Sequence, residues 1–139
     1  AQEGGEPCAL AVVDIDRFKR VNDRHSHVTG DAVLRRVAAV LVAAGRRRDR
    51  VYRYAGDEFV IVLPGADGAD AVAVCERLAR RVREEPWDEV ASGLEIRISI
   101  GVASVPVGAG AELWALFAAA DRALLAAKRA GRGRVSLAS

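Results

Sequence analysis

Asp14, Asp57 and Glu58 are the residues whose placement first asks for a chemical explanation. Asp14 falls near the end of the apolar run CALAVVDI, residues 8–15, and Asp57 and Glu58 stand side by side within VYRYAGDEFVIVLP, residues 51–64. A hairpin bend takes Gly and Asp readily, but it has no need of a second carboxylate beside the first. If the end of the first run lies against the bend, three like charges converge. Two unit charges 4 Å apart repel by about 4 kcal/mol at an effective dielectric near 20. A divalent cation neutralises such a cluster, and Mg2+ takes hard oxygen ligands, usually one or two carboxylates together with substrate phosphates. A site of that kind stabilises phosphoryl transfer and lowers the pKa of an attacking hydroxyl. Taken singly, each carboxylate reads as a solvated turn residue or a strand terminator.

The elements that must position these groups follow from hydrophobic spacing. Cys8 to Ile15 is a nearly continuous apolar run of strand length, the pattern of a central strand covered on both faces. Arg17 to Val28 is polar and irregular, with room for one short helical turn, and Thr29 is a candidate helix cap. From Gly30 the apolar positions Ala32, Val33, Val37, Val40 and Leu41 recur at helical spacing until Gly45. The hairpin of residues 51–64 comes next. Asp67 to Glu85 reads as a second amphipathic helix, with Val72, Cys75, Leu78, Ala79 and Val82 on one face and Pro86 ending it. Leu94 to Val105 alternates as a strand does. Ala111 to Ala130 reads as a third helix with Leu113, Leu116, Phe117, Ala120 and Leu124 inward, and Val135 to Leu137 as a last short strand. The order β-α-β-β-α-β-α-β, with a hairpin in it, predicts an α+β domain with helices packed on a mostly antiparallel sheet.

Composition narrows the class. The 139 residues are of single-domain size, and an apolar fraction of 51% with 29% charged residues describes a globular chain. A net charge of +2 gives no footprint of a nucleic-acid binder. No apolar stretch approaches membrane-span length and no signal peptide is visible. Cys8 and Cys75 have no C-x-x-C spacing and read as free thiols of a reducing, cytoplasmic compartment. The basic residues are nearly all Arg, so Lys19 and Lys128, the two lysines, stand out. The chain lacks Met, even at position 1, which reads as a piece cut from a longer chain.

In order along the chain, DIDRFKRVNDRHSHVTGDAVLRRVA, RYAGDEFVIVLP, ISIGVA and ADRALLAAKRAGRGRV resemble the GGDEF family, the diguanylate cyclases. The resemblance runs from about Leu10 to Val135. It implies a cyclase-palm fold, related to the ferredoxin-like arrangement, in one GGDEF domain over residues 1–139. It implies that two GTP molecules, one on each subunit of a transient homodimer, are condensed into cyclic di-GMP with release of pyrophosphate. Carried over, Asp14 and the Ile15 carbonyl would bind Mg2+ (or Mn2+), with Asp57 as the other ligand and the group taking the 3′-hydroxyl proton. Glu58 would serve a second metal position and Lys19 would steady charge on the phosphates. Gly56 would admit the phosphates to the hairpin backbone, and Lys128 and Arg132 would hold the outer ones. Asn22 and Asp31 would read guanine; a carboxylate accepts from its N1 and N2 protons, which adenine does not offer. His27 would lie near the base or ribose. Arg46 and Asp49, at the R-x-x-D spacing, with Arg77, would form an inhibitory site for the product, since Arg grips guanine O6 and N7 in a bidentate contact. A fused regulatory domain is expected outside this piece.

Three departures from the family pattern bear on activity. Ala55 stands where the signature usually has its first Gly, which costs of order 1 kcal/mol only if that position needs positive φ. Ser26 replaces a common Gly before His27. An opening Asp-x-Leu-Thr-Gly-Leu stretch would precede residue 1. The competing expectation is therefore a catalytically impaired module that acts as a receptor for cyclic di-GMP or GTP. An adenine-using cyclase is the weaker third reading, against which Asp31 counts.

Overall fold

The computed structural model describes residues 6–105 and 113–138. A five-stranded sheet runs in the order β2-β3-β1-β4-β5, with β1 (Cys8–Ile15) at its centre, β2 (Arg50–Ala55) and β3 (Glu58–Pro64) forming the hairpin, and β4 (Ile98–Val105) and β5 (Val135–Leu137) on the other side. All pairs are antiparallel except β4 with β5. The α+β expectation with a mostly antiparallel sheet is what the chain adopts.

β1 is apolar throughout because both of its faces are covered. Ala9, Ala11, Val13 and Ile15 face a core shared with α1 (Phe18–Arg24), α2 (His27–Ala44) and α3 (Gly68–Glu84). Leu10 and Val12 face α4 (Leu113–Arg129), against Leu116, Ala120 and Leu124. β3 alternates instead: Phe59, Ile61 and Leu63 are buried beneath the first three helices, and the intervening residues are half-buried. α4 lies close to the sheet because β4 has glycine at 101. A Cβ there would overlap the backbone of α4 at the Ala120 carbonyl and the Leu124 amide.

Local signals account for most element ends. Asp67 and Asp70 form a reciprocal capping box at the start of α3. Beyond its end, the Trp87 indole donates to the Val82 carbonyl at 2.7 Å, and that carbonyl also accepts from the Glu85 amide at 3.3 Å, so the last turn of α3 is closed from two sides. The structure differs from the sequence reading at several points. Residues 18–24 form a full short helix. Ser26, not Thr29, caps α2, its hydroxyl accepting from the Thr29 amide at 3.1 Å. Leu94 and Ile96 are buried as a strand would have them, yet β4 starts only at Ile98. On α3 it is Ala71 and Val74 rather than Val72 that are buried, and Leu113 on α4 is exposed. The expected helix start at Ala111 lies outside the described residues.

Candidate active site

The sheet brings the ends of β1 and β3 together. Asp14 is paired in register with Glu58, and the Ile15 amide donates to the Asp57 carbonyl at 3.1 Å. A bulge in β2, between Arg53 and Ala55, bends the hairpin next to this point. The bend is held by Arg53, whose Nε and Nη2 donate to the Gly56 carbonyl at 3.2 and 2.8 Å. No non-glycine residue of the bend has positive φ, so Ala55 imposes no backbone strain. Nothing lies within 4 Å of a Cβ built on Gly56. The space over the bend is open, and the chain itself does not require glycine there.

Asp14 is the one buried carboxylate in the centre of this arrangement. Its Oδ2 pairs with the Lys128 ammonium from the last turn of α4, and its Oδ1 is buried without a hydrogen-bond partner. Burial, and the neighbouring Asp57 carboxylate, push Asp14 up to about 7 against the pull of Lys128. Glu58 is also raised, by burial first and then by Asp121, a facing α4 residue that the sequence reading passed over. Burial pulls Lys128 down, but Asp14, Glu58 and Asp57 outweigh it and hold the ammonium above the usual lysine value. Two acidic groups are thus short of cationic charge at a place where one oxygen has no partner.

These residues fit a divalent cation. The orphaned Asp14 oxygen and the adjacent Asp57 supply two hard oxygen donors. Among the described residues no group of three or more His, Cys, Asp or Glu side chains could hold a metal unaided. Two carboxylates completed by backbone carbonyl, water and substrate phosphate is the usual Mg2+ arrangement.

Metal-free protein should register the strain at Asp14. Its raised pKa means that the folded state keeps a proton which the unfolded chain releases near pH 4. That contribution to stability is complete below pH 4 and is lost as pH rises to about 7. Asp14→Asn should therefore be the more stable protein at pH 8, by ~1 kcal/mol after the lost ion pair is allowed for. The advantage should shrink as pH falls from 7 to 4. Thermal melts in chelator check this, and a gap independent of pH across that window counts against it.

Around this centre the other expected residues fall into two groups. Asn22 lies against Gly30, where a Cβ would overlap its Oδ1, so glycine lets α1 and α2 approach at the residue that precedes Asp31. Asp31 and His27 are exposed on the first turns of α2, and Asp31 lines a cleft of about 450 Å3 between that helix and the hairpin. Lys19 is exposed on α1. Arg132 follows α4 in a turn held by Asp16, which accepts from the Gly133 amide at 2.9 Å and from the Ser99 hydroxyl at 2.6 Å. Asp16 is a positioning residue the sequence reading left without a role; the signal was its second acidic place in D-I-D.

Arg46, Asp49 and Arg77 form the second group, at the opposite end of β3. Arg46 Nε and Nη2 donate to Asp49 Oδ1 at 3.0 and 2.8 Å, and Nη2 also donates to the Pro64 carbonyl at 2.7 Å. Asp49 Oδ2 accepts from the Arg46 amide at 2.9 Å. Arg77 Nε donates to the Ala44 carbonyl at 2.9 Å, so all three gather at the end of α2. The length of β3 puts this corner about 20 Å from Asp57.

Comparison with known proteins agrees with this geometry. Residues 1–134 match the family described as diguanylate cyclase, GGDEF domain. The chain is 37% identical over 137 residues to diguanylate cyclase DosC of Escherichia coli K12, covering 99% of this chain and 30% of that protein. It is 41% identical over 135 residues to response regulator PleD of Caulobacter vibrioides, covering 95% and 29%. The chain thus spans less than a third of the length of either of these two relatives. Among solved structures, the active GGEEF domain of a diguanylate cyclase from Vibrio cholerae superposes with a TM-score of 0.88 at 30% identity, over 96% of this chain and 84% of that one. The GGDEF domain of DgcB from Caulobacter crescentus, in complex with c-di-GMP, gives 0.85 at 32% identity, over 95% and 78%. With its five-stranded sheet, its acidic bend and these relatives, the chain belongs to the GGDEF family of diguanylate cyclase domains.

Proposed function

We propose that this domain condenses two GTP molecules into cyclic di-GMP and releases pyrophosphate, with Mg2+ or Mn2+, on a transient homodimer in which each subunit presents one nucleotide. The carrying observation is the buried, half-unsatisfied Asp14 set against Asp57 and Lys128. Asp14, the Ile15 carbonyl and Asp57 would hold the cation, which supplies charge neutralisation at the phosphates and acidifies the attacking hydroxyl. Asp57 takes the 3′-hydroxyl proton. Glu58, half-buried beside it, serves a second cation position. Lys128 exchanges Asp14 for the outer phosphates, which Arg132 also grips, while Lys19 steadies the charge that develops on them. Gly56 leaves the bend open to the phosphates. Asn22 and Asp31 read guanine, with His27 close to the base or ribose. The domain works in the cytoplasm behind a regulatory domain on the same polypeptide.

The test is incubation of a longer chain, carrying the preceding segment, with GTP and either metal, scoring cyclic di-GMP by chromatography. Absence of product with both metals, alongside tight binding of cyclic di-GMP, would make the domain a receptor. The same assay reads regulation at Arg46, Asp49 and Arg77. Arg46→Ala should leave the initial rate within about twofold and abolish slowing by added product. It should also lower the melting temperature, because the buried Asp49 carboxylate loses its partner. Inhibition as strong as in the parent would remove this corner from feedback.

A further inference from the structure

A second cleft, of about 480 Å3, opens on the side of α1 away from Asn22. Its walls carry Arg17, Arg20, Arg24, Arg97 and Arg132. Arg20 and Arg24 are one helical turn apart and share a face of α1. The lining carboxylates are Asp16 and Glu95, and Asp16 is already engaged with Ser99 and Gly133. Elsewhere among the described residues some arginines have carboxylate partners, Arg36 with Glu85 and Glu89, Arg46 with Asp49 and Arg48 with Glu6, while others such as Arg35 and Arg81 stand alone on helix surfaces; what sets the present group apart is that it shares one cleft. The side chains of Arg17, Arg20, Arg24 and Arg97 form neither an ion pair nor a hydrogen bond with any described residue. Arg17 and Arg132, with φ of 54° and 64°, are also the two non-glycine residues with positive φ among the described residues, and both line this cleft. Strained backbone of that kind gathers at ligand sites.

From this convergence we infer a binding site for an oligophosphate anion, separate from the Asp14–Asp57 centre and touching it only at the Arg132 rim. The chemistry selects the ligand class. Guanidinium groups match phosphate oxygens bidentately and keep their charge at any working pH. The lining holds no Phe, Tyr or Trp, and its one ring is the imidazole of His25, so the chemistry of the walls is dominated by guanidinium. The volume exceeds what a single orthophosphate fills, and several guanidiniums spread around it suit a chain of two or more phosphates. Two sources share that chemistry: free inorganic pyrophosphate and the phosphate tail of a nucleotide.

The inference does not depend on the cyclase reaction, and its test is a binding measurement in chelator. The chain is titrated calorimetrically with inorganic pyrophosphate, orthophosphate, GTP and ATP. Pyrophosphate is expected to bind, orthophosphate at least tenfold more weakly. Arg20→Ala with Arg24→Ala should weaken pyrophosphate at least tenfold, as loss of two charge-assisted contacts does. Asp57→Ala and Lys128→Ala should each change its affinity by less than about twofold. Arg97→Ala, in the loop before β4, should reproduce the loss if the double variant melts at a lower temperature. In a Lys128→Ala background, GTP and ATP binding equally and competing with pyrophosphate would identify the nucleotide tail as an occupant; no competition would leave the free anion as the source. The site is overturned if pyrophosphate does not bind, if the arginine variants bind it like the parent, or if Lys128→Ala abolishes binding, which would assign the anion to the nucleotide site.

Discussion

Replacing Asp57 by alanine is expected to lower cyclic di-GMP formation by ~10³-fold or more, because one group is given both a cation-binding and a proton-accepting task. Its backbone carbonyl, which holds the Ile15 amide, is untouched by the substitution, so the junction between β1 and the bend should survive. The melting temperature in chelator should stay level or rise, since Asp14 loses a like-charged neighbour. Rate and fold therefore separate in this variant. Quantified product from GTP, alongside a thermal melt, gives both numbers. Turnover within about tenfold of the parent would take Asp57 out of the chemistry.

Gly101→Ala is expected to have the largest effect on stability. The added methyl has no empty space to enter, because it meets the backbone of α4 rather than a flexible side chain. Either α4 lifts from β4 and β1 or the sheet yields. Overpacking of this kind costs about 3 kcal/mol, which lowers the melting temperature by about 10 °C in a domain of this size. The same displacement moves Lys128 away from Asp14, since the ammonium is carried on the last turn of α4. A melt unchanged to within about 2 °C would mean that α4 does not seat on Gly101 as described. Among the changes considered, this is the one that should damage fold and active site together.

How much was legible in the sequence depended on whether a local pattern had a single structural cause. β1 was legible because burial on both faces leaves a continuous apolar run, and few other arrangements do. The stretch from Leu94 was misread because Leu94 and Ile96 alternate inward like strand residues but lack a ladder partner until Ile98; burial period and hydrogen-bond pairing are separate facts. Ser26 and Thr29 are both good caps, and which one serves is decided by where α1 releases the chain, a tertiary matter. The meeting of Asp14 with Asp57 followed once β1 was placed beside the hairpin. Asp121 was invisible, because its relevance comes only from the way α4 crosses the sheet and faces Glu58. The unpaired arginines were equally hidden, since nothing in a list of guanidiniums tells which of them found carboxylates.

The corner built from Arg46 and Asp49 joins the exit of α2, the entry to β2 and, through the Pro64 carbonyl, the far end of β3. It works as a rivet for the open end of the hairpin whether or not anything ever binds there. Selection for a foldable hairpin alone would preserve both residues in descendants that have lost feedback. An intact R-x-x-D is accordingly a weaker diagnostic of product control than Arg77, whose single bond to the Ala44 carbonyl leaves most of its guanidinium for a visitor.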